Sequence, residues 1–265
     1  MYTDSHCHLD ADVYGGDDAV DAVIARARAA GVTRMITIGA GYDLPCAERA
    51  AAVAARHPDV WFTLGVHPHD AKRWGAEAEA LLRRHAADPK CVALGEMGLD
   101  FHYDLSPRDE QREAFRAQIR LAVALGKPIV IHDRDSDGET LRILDDEDAF
   151  SGARVLYHCF TGDRGAMAQI VARGGYVSIP GIVTFKNAEE MREVAATVPD
   201  DRLLVETDSP YLAPIPFRGK KNEPDKVVFV ARKVAELRGV PEAGLARATS
   251  ANTARFYGLP DLSPL

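Results

Sequence analysis

One pattern constrains this chain more than any other. A short apolar run followed by a longer amphipathic stretch recurs eight times over 265 residues, with no linker or low-complexity break. The runs are Tyr2–His6, Thr33–Gly39 (TRMITIG), Val60–His69 (VWFTLGVHPH), Cys91–Asp100 (CVALGEMGLD), Lys127–Asp135 (KPIVIHDRD), Ala153–Asp163 (ARVLYHCFTGD), Gly174–Gly181 (GGYVSIPG) and Arg202–Leu212 (RLLVETDSPYL). Helical periodicity fills 17–30, 45–56, 76–87, 107–125, 138–144, 164–173 and 188–197, and recurs at 226–238 and 242–256. Ser106-Pro107 reads as the cap and first-turn pair of the longest helix. Strands read as buried on both faces and alternating with helices predict a parallel sheet. Eight such units predict a closed (β/α)8 TIM barrel, a single domain over residues 1–265 with added C-terminal helices. An open doubly wound sheet is the alternative, but the glycine-rich phosphate turn after its first strand is missing.

In such a barrel, chemistry is built at the carboxyl ends of the strands. His6 and His8 close the first run, His67 and His69 the third, Glu96 the fourth, His132 the fifth, His158 the sixth and Asp208 the eighth. Six of the nine histidines therefore meet at one mouth, leaving His57, His85 and His102 elsewhere. A lone histidine after a strand is usually structural; this convergence points to metal. Residues i and i+2 of an extended segment share a side, so His6 and His8 can grip one ion. Imidazole with carboxylate suits Zn²⁺ or Mn²⁺, whereas Mg²⁺ favours more oxygen.

The donors exceed one tetrahedral site, so two divalent cations roughly 3.5–4 Å apart are expected. His6, His8 and Asp208 would take one and His132 and His158 the other, with Glu96 shared. Such a pair acidifies a water and stabilises both oxygens of a displacement at phosphorus. Asp208 is the expected acceptor of the water's proton. Glu206 shares its direction by period 2 and reads as a further ligand, an orienting group, or the buried partner of a basic residue. Cys7 and Cys159 adjoin histidines, but strand alternation is expected to turn both toward packing.

Composition sets the limits. A chain 46% hydrophobic and 27% charged is globular, and no segment approaches the roughly 18 apolar residues of a membrane helix. The opening residues lack a basic-then-apolar leader, so a cytoplasmic protein without membrane association or an obligate protein partner is expected. Four scattered cysteines read as free thiols. A net charge of −8 argues against electrostatic coating of nucleic acid, but not against a compact metal site with a few local cations.

Six segments, DSHCHLD, GVHPH, GEMGLDFHYD, HCFTG, ETDSPYLAP and FRGKKNEP, stand in this order between residue 4 and about residue 225. Together they resemble the TatD family of metal-dependent deoxyribonucleases, within the amidohydrolase-like barrels. The resemblance implies a (β/α)8 fold, a two-divalent-metal site and hydrolysis of phosphodiester bonds in DNA. It places the family's ligands on His6, His8, Glu96, His132, His158 and Asp208, with Glu96 and Asp208 at the chemistry. Thr3 departs from the apolar residue usual in the family at that position. Glu96 stands where many amide and lactone hydrolases of the wider group carry a carboxylated lysine.

Several residues are candidates for substrate. Arg218, Lys220 and Lys221 lie in a glycine-containing loop after the eighth run, where Arg offers a bidentate phosphate contact; a solvated charge run is the alternative. Arg134, His67 and His69 are further candidates for phosphate contact. Tyr103 and Phe160 could stack on a base, though packing in the core or at the rim is the expected role of each. The reading is an exonuclease acting on single-stranded DNA ends. A metallohydrolase of a small phosphoester or aminoacyl ester is the alternative. A non-catalytic metal-binding barrel would lack a ligand, and none is missing.

Overall fold

The computed structural model describes residues 1–41 and 43–260. Its centre is one sheet of eight strands in sequence order: β1 (Tyr2–Cys7), β2 (Val32–Gly39), β3 (Val60–Leu64), β4 (Cys91–Asp100), β5 (Ile129–Arg134), β6 (Val155–Tyr157), β7 (Tyr176–Ile179) and β8 (Leu203–Val205). Every neighbouring pair is parallel. The ring closes through a single bridge, Cys7 to Ser209, reinforced by Asp208 N–H donating to His6 O at 3.0 Å. The chain is thus a (β/α)8 barrel, as the repeated pattern predicts.

The helices follow in chain order: α1 (Ala11–Tyr14), α2 (Asp17–Ala29), α3 (Cys46–Arg56), α4 (Ala76–Ala86), α5 (Arg108–Ala124), α6 (Glu139–Asp146), α7 (Ala149–Gly152), α8 (Arg164–Ala172), α9 (Glu189–Thr197), α10 (Val227–Arg238) and α11 (Glu242–Tyr257). Their apolar faces bury against outward-facing strand residues such as Met35, Phe62, Ile129 and Val177 in one large core. A second, smaller core joins Ile36, Ile38, Val92, Val130, Leu156 and Leu204 with Phe256 and Tyr257 of α11. By period 2, Val130, Leu156 and Leu204 face the same way as His132, His158 and Glu206. The barrel interior is therefore apolar at its amino end, where α11 plugs it, and carries metal-type side chains at its carboxyl end. The Tyr257 hydroxyl donates to Ser5 O at 3.0 Å, tying the plug to β1.

Three expectations fail for local reasons. The sixth and eighth runs stop being strand at Tyr157 and Val205, because Cys159 and Asp208 adopt left-handed φ of 43° and 53° and bend the chain out of the ladder. Strand alternation therefore does not govern Cys159, which lines the mouth; Cys7, within β1, packs into the core and points its thiol at Ile36 O as expected. Ser106 does not cap α5. Its hydroxyl donates to His69 O at 2.7 Å and accepts from Lys72 N–H, holding the turn over Pro68–Arg73 instead.

Candidate metal centre

Backbone staples at the mouth set each donor. Asp4 is fully buried, and its carboxylate accepts from the Thr207 hydroxyl, Thr207 N–H and His6 N–H, clamping β1 to the segment after β8. His8 N–H donates to Ser209 O at 2.7 Å. These bonds bring Asp208 beside the two histidines, its Oδ1 3.7 Å from His6 Nε2 and 3.5 Å from His8 Nε2. On β4, Gly98 has φ +147° and pairs with His132; a Cβ there would collide with His132 O. Only glycine lets β4 press this closely on β5.

Glu96 sits at the centre of the group. Its Oε2 is 2.7 Å from His158 Nε2, 3.6 Å from His132 Nδ1 and 3.9 Å from His6 Nε2, while Oε1 is 3.7 Å from His8 Nε2. Three sets of donor atoms lie within 4.8 Å of one another: His6, His8 and Asp208; His6, Glu96 and His158; and His67, Glu96 and His132. The structure thus gathers all six expected ligands and adds His67, expected at the substrate, beside His132. His158 stands nearer His6 than the sequence grouping anticipates, their rings stacked at 3.8 Å and 5°.

Protonation follows this crowding. Burial and the stacked His158 push the His6 imidazole well below its usual range, so it stays neutral. Burial also lowers His67. For His158 burial works against protonation, but Glu96 and Glu206 outweigh it and carry its pKa well up. Glu96 is held well below the carboxylate range against its own burial by His158 and His67. Both ring nitrogens of the buried His6 lack a hydrogen-bond partner. Leaving them so costs on the order of 1–3 kcal/mol each, which a cation taking a ring lone pair would offset. Imidazoles beside an ionised carboxylate, once a cation displaces the proton of those such as His158 that hold one, are a donor set that fits Zn²⁺ or Mn²⁺.

Two supporting carboxylates complete the centre. Asp100 Oδ2 lies 3.0 Å from His132 Nε2 and 2.9 Å from His69 Nε2. Glu206 Oε1 accepts from Cys159 N–H at 2.7 Å and faces His158 Nδ1 at 3.4 Å. Glu206 thus faces His158 from the side away from Glu96, on the nitrogen opposite the one nearest that carboxylate. Asp100 and Asp4 escaped the sequence reading, although both lie inside quoted segments.

The mouth is a cavity of about 430 Å³ lined by His8, His67, His69, Glu96, His132, Arg134, His158 and Asp208, together with Tyr103, Cys159 and Tyr211. Arg134 thus reaches the site, its guanidinium 4.7 Å above the Tyr103 ring. Arg218 and Lys220 are not among the lining residues; Arg218 stacks 4.5 Å over Phe185, and Lys221 caps α1 by donating to Val13 O. Phe160 is buried in the core, whereas Tyr103 is 53% exposed at the rim.

Histidines and carboxylates converging at the carboxyl mouth of a (β/α)8 barrel define a metal-dependent hydrolase. The family described as TatD-related DNase matches residues 3–258, and the chain belongs to it. It is 41% identical over 257 residues to the uncharacterised metal-dependent hydrolase YabD of Bacillus subtilis (strain 168), covering 97% of this chain and 99% of YabD. It is 42% identical over 250 residues to the 3'-5' ssDNA/RNA exonuclease TatD of Cronobacter sakazakii, covering 92% and 93%. The crystal structure of YJJV, a TatD homologue from Escherichia coli K12, superposes with a TM-score of 0.89 over 98% of both chains at 28% identity. Among the described residues, no helix is long and apolar enough to cross a membrane.

Proposed function

We propose that the chain hydrolyses phosphodiester bonds in DNA, working from single-stranded ends, with two divalent cations at the barrel mouth. The observation that carries this reading is Glu96, one carboxylate within 4 Å of ring nitrogens of His6, His8, His132 and His158. A carboxylate so placed suits a bridge between two cations. His6, His8 and Asp208 would hold one, and His132 with His158 or His67 the other. Bound there, the pair would supply Lewis acidity toward a phosphoryl oxygen and lower the pKa of a water. Asp208 stands at the open side of the cluster, its side chain 13% exposed against 4% for Glu96. It would take the water's proton. Arg134 and His69, both at the mouth, would meet the substrate phosphate.

The name 3'-5' ssDNA/RNA exonuclease, borne by relatives that this chain matches over nine-tenths of its length, supports both the single-stranded substrate and a 3'-to-5' polarity. The test is purified protein with labelled single-stranded DNA and RNA, each with Mg²⁺, Mn²⁺ or Zn²⁺ and with chelator. Metal-dependent release of nucleotides is expected. Glu96→Ala is expected to abolish it, and Asp208→Asn to lower it by about 10²–10⁴-fold. Chelator-resistant cleavage would sink the reading. So would inactivity on DNA with every metal while a small phosphoester or aminoacyl ester turns over, an outcome for which a cavity of about 430 Å³ leaves room.

A further inference from the structure

We infer that Tyr103 and Tyr211 hold the two nucleobases flanking the scissile phosphate, so that the site takes nucleotides whose bases are unpaired. This rests on the nuclease reading and adds to it a structural basis for single-strand preference.

Most of the exposed large apolar side chains among the described residues stand on two loops at the carboxyl end of the barrel. Among the described residues seven large hydrophobic side chains are exposed, and four of them, Tyr103, Leu105, Tyr211 and Ile215, lie in the loops following β4 and β8. Scattered singly such residues need no explanation, but gathered around a catalytic mouth they mark a contact surface. In an eight-stranded barrel with strands in sequence order, β4 and β8 stand four places apart, as far as the ring allows. The two tyrosines therefore rise from opposite sides of the mouth, and both line its cavity.

Each ring also borders the metal-type cluster. Tyr103 contacts His69 at 5.5 Å between centroids, on the side of His132, and Tyr211 contacts His8 at 6.0 Å, on the side of Asp208. Tyr103 is 53% and Tyr211 48% exposed, so each offers ring surface to a ligand. The Arg134 guanidinium, stacked 4.7 Å above Tyr103, puts a cation beside that surface. A planar ring on each side of a phosphate-handling centre, one of them next to a cation, is the chemistry that holds single-stranded nucleic acid without reading its sequence. Bases in a duplex are paired and stacked on each other, and reach neither ring without being pulled out.

The experiment compares Tyr103→Ala, Tyr211→Ala and the matching Phe variants on two substrates. One is a single-stranded oligonucleotide; the other carries abasic residues at its two 3'-terminal positions. On the first, each alanine variant is expected to raise KM about tenfold with kcat little changed, and each phenylalanine variant to restore it. Anisotropy of the same labelled oligonucleotide on Asp208→Asn protein is expected to show the same loss in Kd. On the abasic substrate wild-type protein should already show that loss, with the alanine substitutions adding little. Unchanged KM in the alanine variants overturns the inference, as does an equal loss on both substrates. If wild-type protein cleaves both substrates with the same KM, stacking alone fails. If it cleaves neither, the nuclease reading fails and takes this inference with it.

Discussion

The Asp100 carboxylate lies 3.0 Å from Nε2 of His132 and fixes which nitrogen that imidazole turns toward the metal-type cluster. A carboxylate can only accept, so Nε2 carries a proton toward Asp100 and Nδ1 is the nitrogen left facing Glu96. Burial would raise the Asp100 pKa, but bonds from His132, His69 and the Tyr103 N–H overcome it and hold the group far below the carboxylate range. Asp100→Asn removes the charge and lets the tautomer change. The expected result is metal affinity lower by about 10–100-fold, read by titration of the metal-free protein. Unchanged affinity would reduce Asp100 to a structural role.

Glu206 is the corresponding partner of His158, and its two contacts separate by substitution. Glu206→Gln can still accept from Cys159 N–H, so its stability should stay near wild type while metal affinity drops about tenfold. Glu206→Ala leaves that part-buried N–H without its acceptor. It should lower the unfolding free energy by about 1–3 kcal/mol, measured in urea. Equal stability in the two variants would contradict this assignment.

His67 and His69 close the same run, yet the structure gives them different neighbours. The His67 donor atom stands within 4.8 Å of those of Glu96 and His132, whereas His69 reaches only Asp100 among the site carboxylates. His67→Ala should therefore weaken or empty one cation position, and His69→Ala should keep both. Metal counted by atomic emission after loading distinguishes the outcomes. Equal occupancy in both variants would return His67 to a purely substrate-facing role.

What the sequence makes legible here is what period 2 controls. His6, His132 and His158 continue columns of inward-facing strand residues, so alternation alone brings them to one mouth. Cys159 and Asp208 lie beyond the strand ends in left-handed conformations, where no alternation rule reaches, and the orientation expected for Cys159 fails there. Asp100 is hidden for another reason. It ends a strand run read in full, but its partners His69 and His132 lie 31 and 32 residues away. The same holds for Asp4, whose acceptor role depends on Thr207, 203 residues on. Tyr103 looks like ordinary rim packing until the loop after β4 leaves its ring in the open.

The strand that carries His6 and leads into His8 is anchored at its start by a bond that titrates. The Tyr2 hydroxyl donates to Glu242 Oε1 at 2.5 Å, joining β1 to the first residue of α11. Burial, and then this bond, push the Tyr2 pKa up to about 12 from its ordinary 10.0. Between those values the folded protein keeps a proton that the unfolded chain gives up, so rising pH favours unfolding. The contribution is fully present below pH 10 and fades as pH climbs through about 12. In Tyr2→Phe this part of the alkaline slope should vanish, with urea midpoints of mutant and wild type converging as pH rises from 9.5 toward about 12. Parallel midpoint curves across that window would show that Tyr2 releases its proton as readily in the fold as outside it.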